Sequence, residues 1–274
     1  MHRPRKRFGQ HFLNDRSVVE RIIASIDPQP GDRLVEIGPG LGALTLPLLQ
    51  RVERLEAVEI DRDAVRHLRA TTNPAALHVH EGDVLAFDFG ALREGAQKLR
   101  LVGNLPYNIS TPLLFKLIER REHLRDMHFM LQKEVVERMA ATAGQDHYGR
   151  LSVMLAPWLK VEPLFDVSPA AFRPPPRVMS TIVRLTAHEV APFKLHAPAR
   201  FAAIVAAAFS QRRKTLRNAL KPLLSEQQIL KAGIDPSLRA EVIAPAAFAA
   251  LSVVDTTPAT ASAVPDFRSH EADL

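Results

Sequence analysis

The chain has 274 residues, 46% hydrophobic and 24% charged, with a formal net charge of +6 and no cysteine. That length can bury the core of a large domain with a smaller one attached, no apolar run approaches the ~20 residues of a spanning helix, and disulfides and thiolate zinc sites are excluded. The positive balance suits an anionic partner such as nucleic acid without establishing one, and it is concentrated in R-P-R-K-R, Arg3 to Arg7, and Q-R-R-K-T-L-R, Gln211 to Arg217.

Residues 1–15 form a basic arm that leads into no apolar segment of signal-peptide length, so the cytoplasm is the expected compartment and no membrane partner is expected. S-V-V-E-R-I-I-A-S-I, Ser17 to Ile26, has helical spacing; it opens on a Ser-x-x-Glu capping box, Ser17 with Glu20, and Asp27-Pro28 stops it. Short apolar runs then alternate with amphipathic stretches: R-L-V-E-I before A-L-T-L-P-L-L, L-E-A-V-E-I before D-A-V-R-H-L, then L-H-V-H, L-R-L-V, P-L-L-F-K-L-I, and M-H-F-M-L before K-E-V-V-E-R-M. This rhythm predicts a parallel sheet with helices on both faces. Two further β-like runs, K-V-E-P-L-F-D-V and V-M-S-T-I-V-R-L, flank A-F-R-P-P-P-R and would extend the sheet at its edge, so the α/β domain is expected over 16–186. Ala-rich helical stretches predict a small all-helical domain over 187–255. The tail, 256–274, has no periodicity and is expected to be disordered.

V-E-I-G-P-G-L-G-A follows the first strand and opens a helix, the setting in which a glycine loop holds a nucleotide-like ligand. Gly38, Gly40 and Ala43 satisfy G-x-G-x-x-G/A, and Glu59 ends the second strand where it could grip a ribose hydroxyl, which would suit NAD. Glu36 argues for a cationic ligand instead, because a carboxylate two residues before the first glycine would repel a pyrophosphate. S-adenosyl-L-methionine carries a sulfonium and an ammonium and no phosphate, and Asp83, after the third strand, could contact its adenine. The plain alternative is a tight turn beside a solvated glutamate.

G-N-L-P-Y-N-I-S, Gly103 to Ser110, falls at the end of the fourth strand, on the same edge of the sheet. An exocyclic aromatic amine is a poor nucleophile with two N–H donors. The Asn104 side-chain oxygen and the Leu105 carbonyl could accept both and favour a pyramidal nitrogen. Pro106 would push Leu105 to an extended conformation and so aim its carbonyl, while Tyr107 could stack on the base. Methyl transfer would then rest on positioning, with no strong base required. Away from the ligand edge the same residues would be an ordinary turn.

With these motifs in place the chain resembles the ribosomal RNA adenine N6-dimethyltransferase family, most closely its bacterial small-subunit group. The resemblance runs from K-R-F-G-Q-H-F-L-N-D through V-E-I-G-P-G-L-G-A-L-T, V-E-I-D, G-D-V, G-N-L-P-Y-N-I-S-T-P, M-L-Q-K-E-V-V-E-R and Y-G-R-L-S-V to F-R-P-P-P-R-V-M-S and F-S-Q-R-R-K-T-L-R-N. It implies a Rossmann-like S-adenosyl-L-methionine-dependent fold, with His11, Leu13, Gly38, Glu59, Asp83 and Asn104 at the cofactor. It also implies that Asn104, Pro106 and Tyr107 shape an adenine pocket with Phe172 on the other face of the base. The implied reaction is dimethylation of the N6 amines of two adjacent adenines in 16S ribosomal RNA, within the small subunit or its precursor. No metal ligand set is read from the sequence, and nothing demands more than a monomer.

On a helix, Phe209, Leu216 and Leu220 would form an apolar stripe beside a basic band of Arg212, Arg213, Lys214, Arg217 and Lys221, which could meet RNA phosphates. A buried adenine would have to be extruded to reach the pocket. The competing readings are a resistance-type methyltransferase acting on large-subunit RNA, a ribosome-assembly binding factor whose catalysis is incidental, and an NAD oxidoreductase.

Overall fold

The computed structural model describes residues 11–92, 95–106, 109–211 and 213–254. The Arg3–Arg7 arm, Tyr107, Arg212 and the 256–274 tail lie outside them. Contacts divide the chain into two units, one drawn from Met1–Val136 and Val161–Ala187, the other from Glu137–Lys160 and His188–Leu274.

The first unit runs β1 (Phe12–Leu13), α1 (Arg16–Ile26), β2 (Arg33–Ile37), α2 (Thr45–Leu49), β3 (Leu55–Glu59), α3 (Arg62–Thr71), β4 (Leu77–Glu81), β5 (Leu99–Asn104), α4 (Ser110–Ile118) and β6 (Leu124–Gln132). The chain leaves it within α5 (Lys133–Ala140), forms α6 (Arg150–Leu155), and returns through β7 (Leu159–Val167) to β8 (Phe172–Arg173) and β9 (Ser180–Ala187). The second unit is completed by α7 (Pro198–Phe209), α8 (Leu216–Ala219), α9 (Glu226–Lys231) and α10 (Pro245–Leu251).

Among the described residues, seven strands form one sheet in the order β4-β3-β2-β5-β6-β9-β7, and β1 pairs with β8 in a separate two-stranded sheet. Strands β4 to β6 pair in parallel and β9 is antiparallel to β6. The chain builds outward from β2 to β3 and β4, then crosses to start again at β5 on the other side of β2. The order therefore reverses between β2 and β5, and such a switch point opens a crevice at the strands' carboxyl ends.

Helix α1 is capped two residues earlier than expected from its Ser17–Glu20 capping box. Asp15 is the N-cap, its carboxylate accepting the Ser17 and Val18 N–H groups at 2.9 and 3.3 Å. Ser17 is already helical, and its hydroxyl donates to Asp15 at 2.7 Å. Asp27 closes the helix with a left-handed backbone, φ 47°. Ile22, Ile23 and Ile26 bury against Leu34, Leu55 and Leu77 in the core, each such side chain contributing roughly 1.5–3 kcal/mol. Away from the crevice, Arg100 on β5 is 4% exposed. It reaches Asp126 at 2.9 and 3.0 Å and Asp32 at 2.5 Å, and it donates to the Ile26 carbonyl at the end of α1.

The sequence suggested one break near residue 187, whereas the structure groups Glu137–Lys160 with the C-terminal part. Two bonds explain it: the Tyr148 hydroxyl donates to the Ile243 carbonyl at 2.6 Å and the Gly144 N–H to Glu241 at 2.8 Å. Phe209 lies between Tyr148 and Phe248, with ring centroids 6.0 and 5.7 Å away. The continuous helix expected through Phe209 to Lys221 is absent. Helix α7 ends at Phe209, and Thr215 bridges Arg239 while Leu216 donates its N–H to Leu238, so this backbone is spent on a neighbouring segment until α8 begins. Among the described residues no helix is long and apolar enough to cross a membrane.

Candidate active site

The crevice at the switch point opens into a cavity of about 1690 Å³, lined by residues of the first unit. Its floor is the glycine loop after β2. Gly38 has φ 66° and donates its N–H to Val58 at 2.9 Å, so the loop turns back over the end of β3. Gly40, φ 55°, donates its N–H to Glu59 Oε2 at 3.0 Å, while Glu59 Oε1 accepts from the Asp61 N–H at 2.8 Å. A Cβ on Gly40 would stand 3.2 Å from the edge of Phe12, so the bare backbone is what lets β1 close over the loop. The helix that the loop opens is only five residues long and starts at Thr45, so polarity here comes from the loop's own N–H groups more than from a helix terminus.

Two carboxylates lie behind the loop. Glu36 is 2% exposed rather than solvated, and its Oε2 accepts the Thr45 hydroxyl at 2.6 Å. Burial pushes its pKa up to about 7, with the Thr45 hydrogen bond opposing and Glu59 adding to the rise. Burial also raises Glu59, against the N–H groups of Asp61 and Gly40. A cation in this cavity would relieve both. Asp83, after β4, is exposed; its Oδ1 holds the Leu85 N–H at 2.9 Å and leaves Oδ2 as an acceptor.

Asn104 stands across the crevice at the end of β5. Its Nδ2 donates to the His11 carbonyl at 3.1 Å, which fixes the amide and leaves Oδ1 as the accepting end. The next residue, Leu105, donates its N–H to Met130 at 3.2 Å, leaving its carbonyl as a candidate second acceptor. Pro106 lines the same cavity. Gly103, just before them, approaches β2 so closely that a Cβ there would be 2.5 Å from the Ile37 carbonyl oxygen. His11 Nδ1 lies 2.8 Å from the Pro174 carbonyl. Because a carbonyl only accepts, the proton is on Nδ1.

The structure thus brings His11, Leu13, Gly38, Glu59, Asp83, Asn104, Leu105 and Pro106 to one cavity. Phe172 does not join them. It is 1% exposed within the core, in register with Leu13, so its ring has no face to offer a base. Tyr107 lies outside the described residues. Sequence reasoning missed Phe12, which strand alternation turns away from buried Leu13 and toward the loop, and Thr45, whose only signal was its place nine residues after Glu36.

A family model described as ribosomal RNA adenine dimethylase matches residues 1–254. The chain belongs to that family. The dimethylase is 55% identical over 252 residues to the ribosomal RNA small subunit methyltransferase A of Thiobacillus denitrificans, covering 92% of this chain and 98% of the relative. It is 52% identical over 252 residues to the protein so named from Pseudomonas aeruginosa, covering 92% and 94%. Among solved structures it resembles a dimethyladenosine transferase from Plasmodium falciparum, with TM-score 0.72, 26% identity and 88% and 96% of the two chains covered. It shares its fold with the 23S rRNA methyltransferase ErmE, at TM-score 0.69, 23% identity and 89% and 100% coverage.

A methyl donor of the S-adenosyl-L-methionine class needs a cradle without side chains, acceptors for ribose hydroxyls and an adenine amine, and negative charge near a cation. The dimethylase offers these in Gly38 and Gly40, in Glu59 and Asp83, and in Glu36. Its cavity exceeds the ~300–1,000 Å³ usual for one small ligand, so a second group, the target base, has room beside the donor.

Proposed function

We propose that this enzyme dimethylates the N6 amines of adenines in small-subunit ribosomal RNA, acting as a monomer on the subunit or its precursor. S-adenosyl-L-methionine, when bound, supplies an electrophilic methyl group on a sulfonium; Gly38, Glu59 and Asp83 would hold it, with His11 and Leu13 at one side of the cavity. Asn104 Oδ1 and the Leu105 carbonyl accept the two N–H groups of the target amine, which draws its lone pair out of conjugation and toward the donor. Pro106 keeps Leu105 extended. The nitrogen becomes acidic once alkylated, so its proton can leave to water without a dedicated base. After the first transfer one N–H remains, and the amine must turn so that its methyl takes the place of the departed hydrogen.

The observation that carries this reading is the fixed amide of Asn104, clamped by the His11 carbonyl across the crevice from the glycine loop. Arg213, Lys214, Arg217 and Lys221 are exposed in the second unit and are proposed to meet RNA phosphates, Arg217 while sharing an exposed pair with Glu226 at 2.8 Å. The test is incubation of the protein with labelled S-adenosyl-L-methionine and small subunits lacking adenine dimethylation, followed by mapping of the label. Label on adenine N6 in small-subunit RNA is expected, and Asn104→Ala should lower transfer by roughly 10²–10³-fold. Label on large-subunit RNA, or none, would overturn the proposal.

A further inference from the structure

On the two outermost strands at the β4 edge of the sheet, three donors meet outside the cavity. Glu56 on β3 is in register with His78 on β4, and His80, two residues on, projects from the same face as His78. Glu56 Oε2 lies 3.1 Å from His78 Nδ1 and 2.7 Å from His80 Nε2, and the three donor atoms all fall within 4.8 Å of one another. Donors around a tetrahedral zinc ion, each about 2.0–2.1 Å from the metal, stand about 3.3 Å apart, so small side-chain adjustments would admit an ion. We propose that Glu56, His78 and His80 form a binding site for a divalent transition cation of the zinc class.

The surroundings suit such a site. The Glu56 side chain is 7% exposed, and Arg54 donates to its Oε1 at 2.8 Å, which orients Oε2 toward both imidazoles. The His80 ring rests against Phe87, 5.1 Å between centroids, and against His78 at 4.4 Å. The His78 side chain is 57% exposed, so an ion can enter from solvent and keep water in a fourth position. Two imidazoles with one carboxylate favour zinc, nickel or copper over magnesium or calcium. Binding would clamp β4 to β3 three residues before Asp83.

The test is calorimetric titration of the full chain with zinc chloride in metal-free buffer, with magnesium chloride as the comparison. One equivalent of zinc is expected to bind and magnesium not to compete. His78→Ala and His80→Ala should each weaken binding at least about tenfold. Zinc should raise the melting temperature of the parent and not of His78→Ala, a variant at an exposed position and so able to fold. Absence of a one-to-one isotherm, or an isotherm unchanged in both variants, would overturn the proposal, the latter placing the ion on other histidines.

Discussion

Glu36 shows how one buried carboxyl links stability to pH. Its pKa is raised from an ordinary 4.5 to about 7, first by burial and then by Glu59, with the Thr45 hydroxyl opposing. Between those values the native chain holds more protons than the unfolded one, so this group's contribution is full below about pH 4.5 and is lost as pH rises through 7. Glu36→Gln keeps an acceptor for Thr45 and removes the charge. Urea melts should therefore show variant and parent closest at low pH, and the variant more stable at pH 8 by on the order of a few kcal/mol. His128 acts in the opposite sense. Burial pushes it down to about 4, with Asp126 opposing and Arg100 and Arg184 adding to the depression, so its contribution is full above pH 6.5 and fades on acidification toward 4. The same Glu36→Gln change should weaken the methyl donor about tenfold in calorimetry, because a neutral amide gives a sulfonium no charge to meet.

At the scale of elements, β5 carries a constraint at each end. Gly103, beside the site, leaves no room for a methyl group, since the atom it would strike is the Ile37 carbonyl oxygen of β2. Gly103→Ala must spread β2 from β5 at the switch point, and is expected to cost about 1–3 kcal/mol in urea melts and to weaken donor binding. At the other end Arg100 joins Asp32 and Asp126 to the end of α1. Arg100→Met leaves Asp126 without its guanidinium and Asp32 with Arg125 alone, and should cost about 3–5 kcal/mol in the same measurement, with donor affinity in the remaining folded protein unchanged. The contrast separates a strand's structural end from its functional one.

For the whole molecule, the cavity is lined by the first unit, and the second exposes Arg213, Lys214 and Lys221, the residues proposed to meet RNA. Replacing Arg213 and Lys214 with Glu should weaken ribosomal RNA binding and lower the slope of log affinity against log salt by roughly two, one for each phosphate no longer neutralised. Donor binding, measured separately, should be unaffected. An unchanged salt slope would remove these residues from the RNA interface.

Much of this was legible without coordinates, for a local reason. R-L-V-E-I, L-E-A-V-E-I and L-R-L-V mark β2, β3 and β5, because a buried parallel strand needs a short apolar run wherever it lies in the chain. The motif residues at their ends announce a ligand edge by the same rule. The misreadings came where a local pattern had rivals. Asp15 reached the first turn of α1 ahead of Ser17, and the basic segment after Phe209 gave its backbone bonds to residues 236–239 instead of a helix. Phe172 was expected on the far face of the base, and no periodicity shows that a two-residue strand beside Leu13 buries it. By itself the sequence determined the chemical inventory, the succession of the seven strands that form the main sheet, and the family. Only the tertiary structure decided that the His11 carbonyl, 93 residues before Asn104, would orient its amide, and that Glu56 would meet His78 and His80. Hydrogen bonds and burial depend on distance in space, and pattern along the chain records that distance only within a turn or a strand.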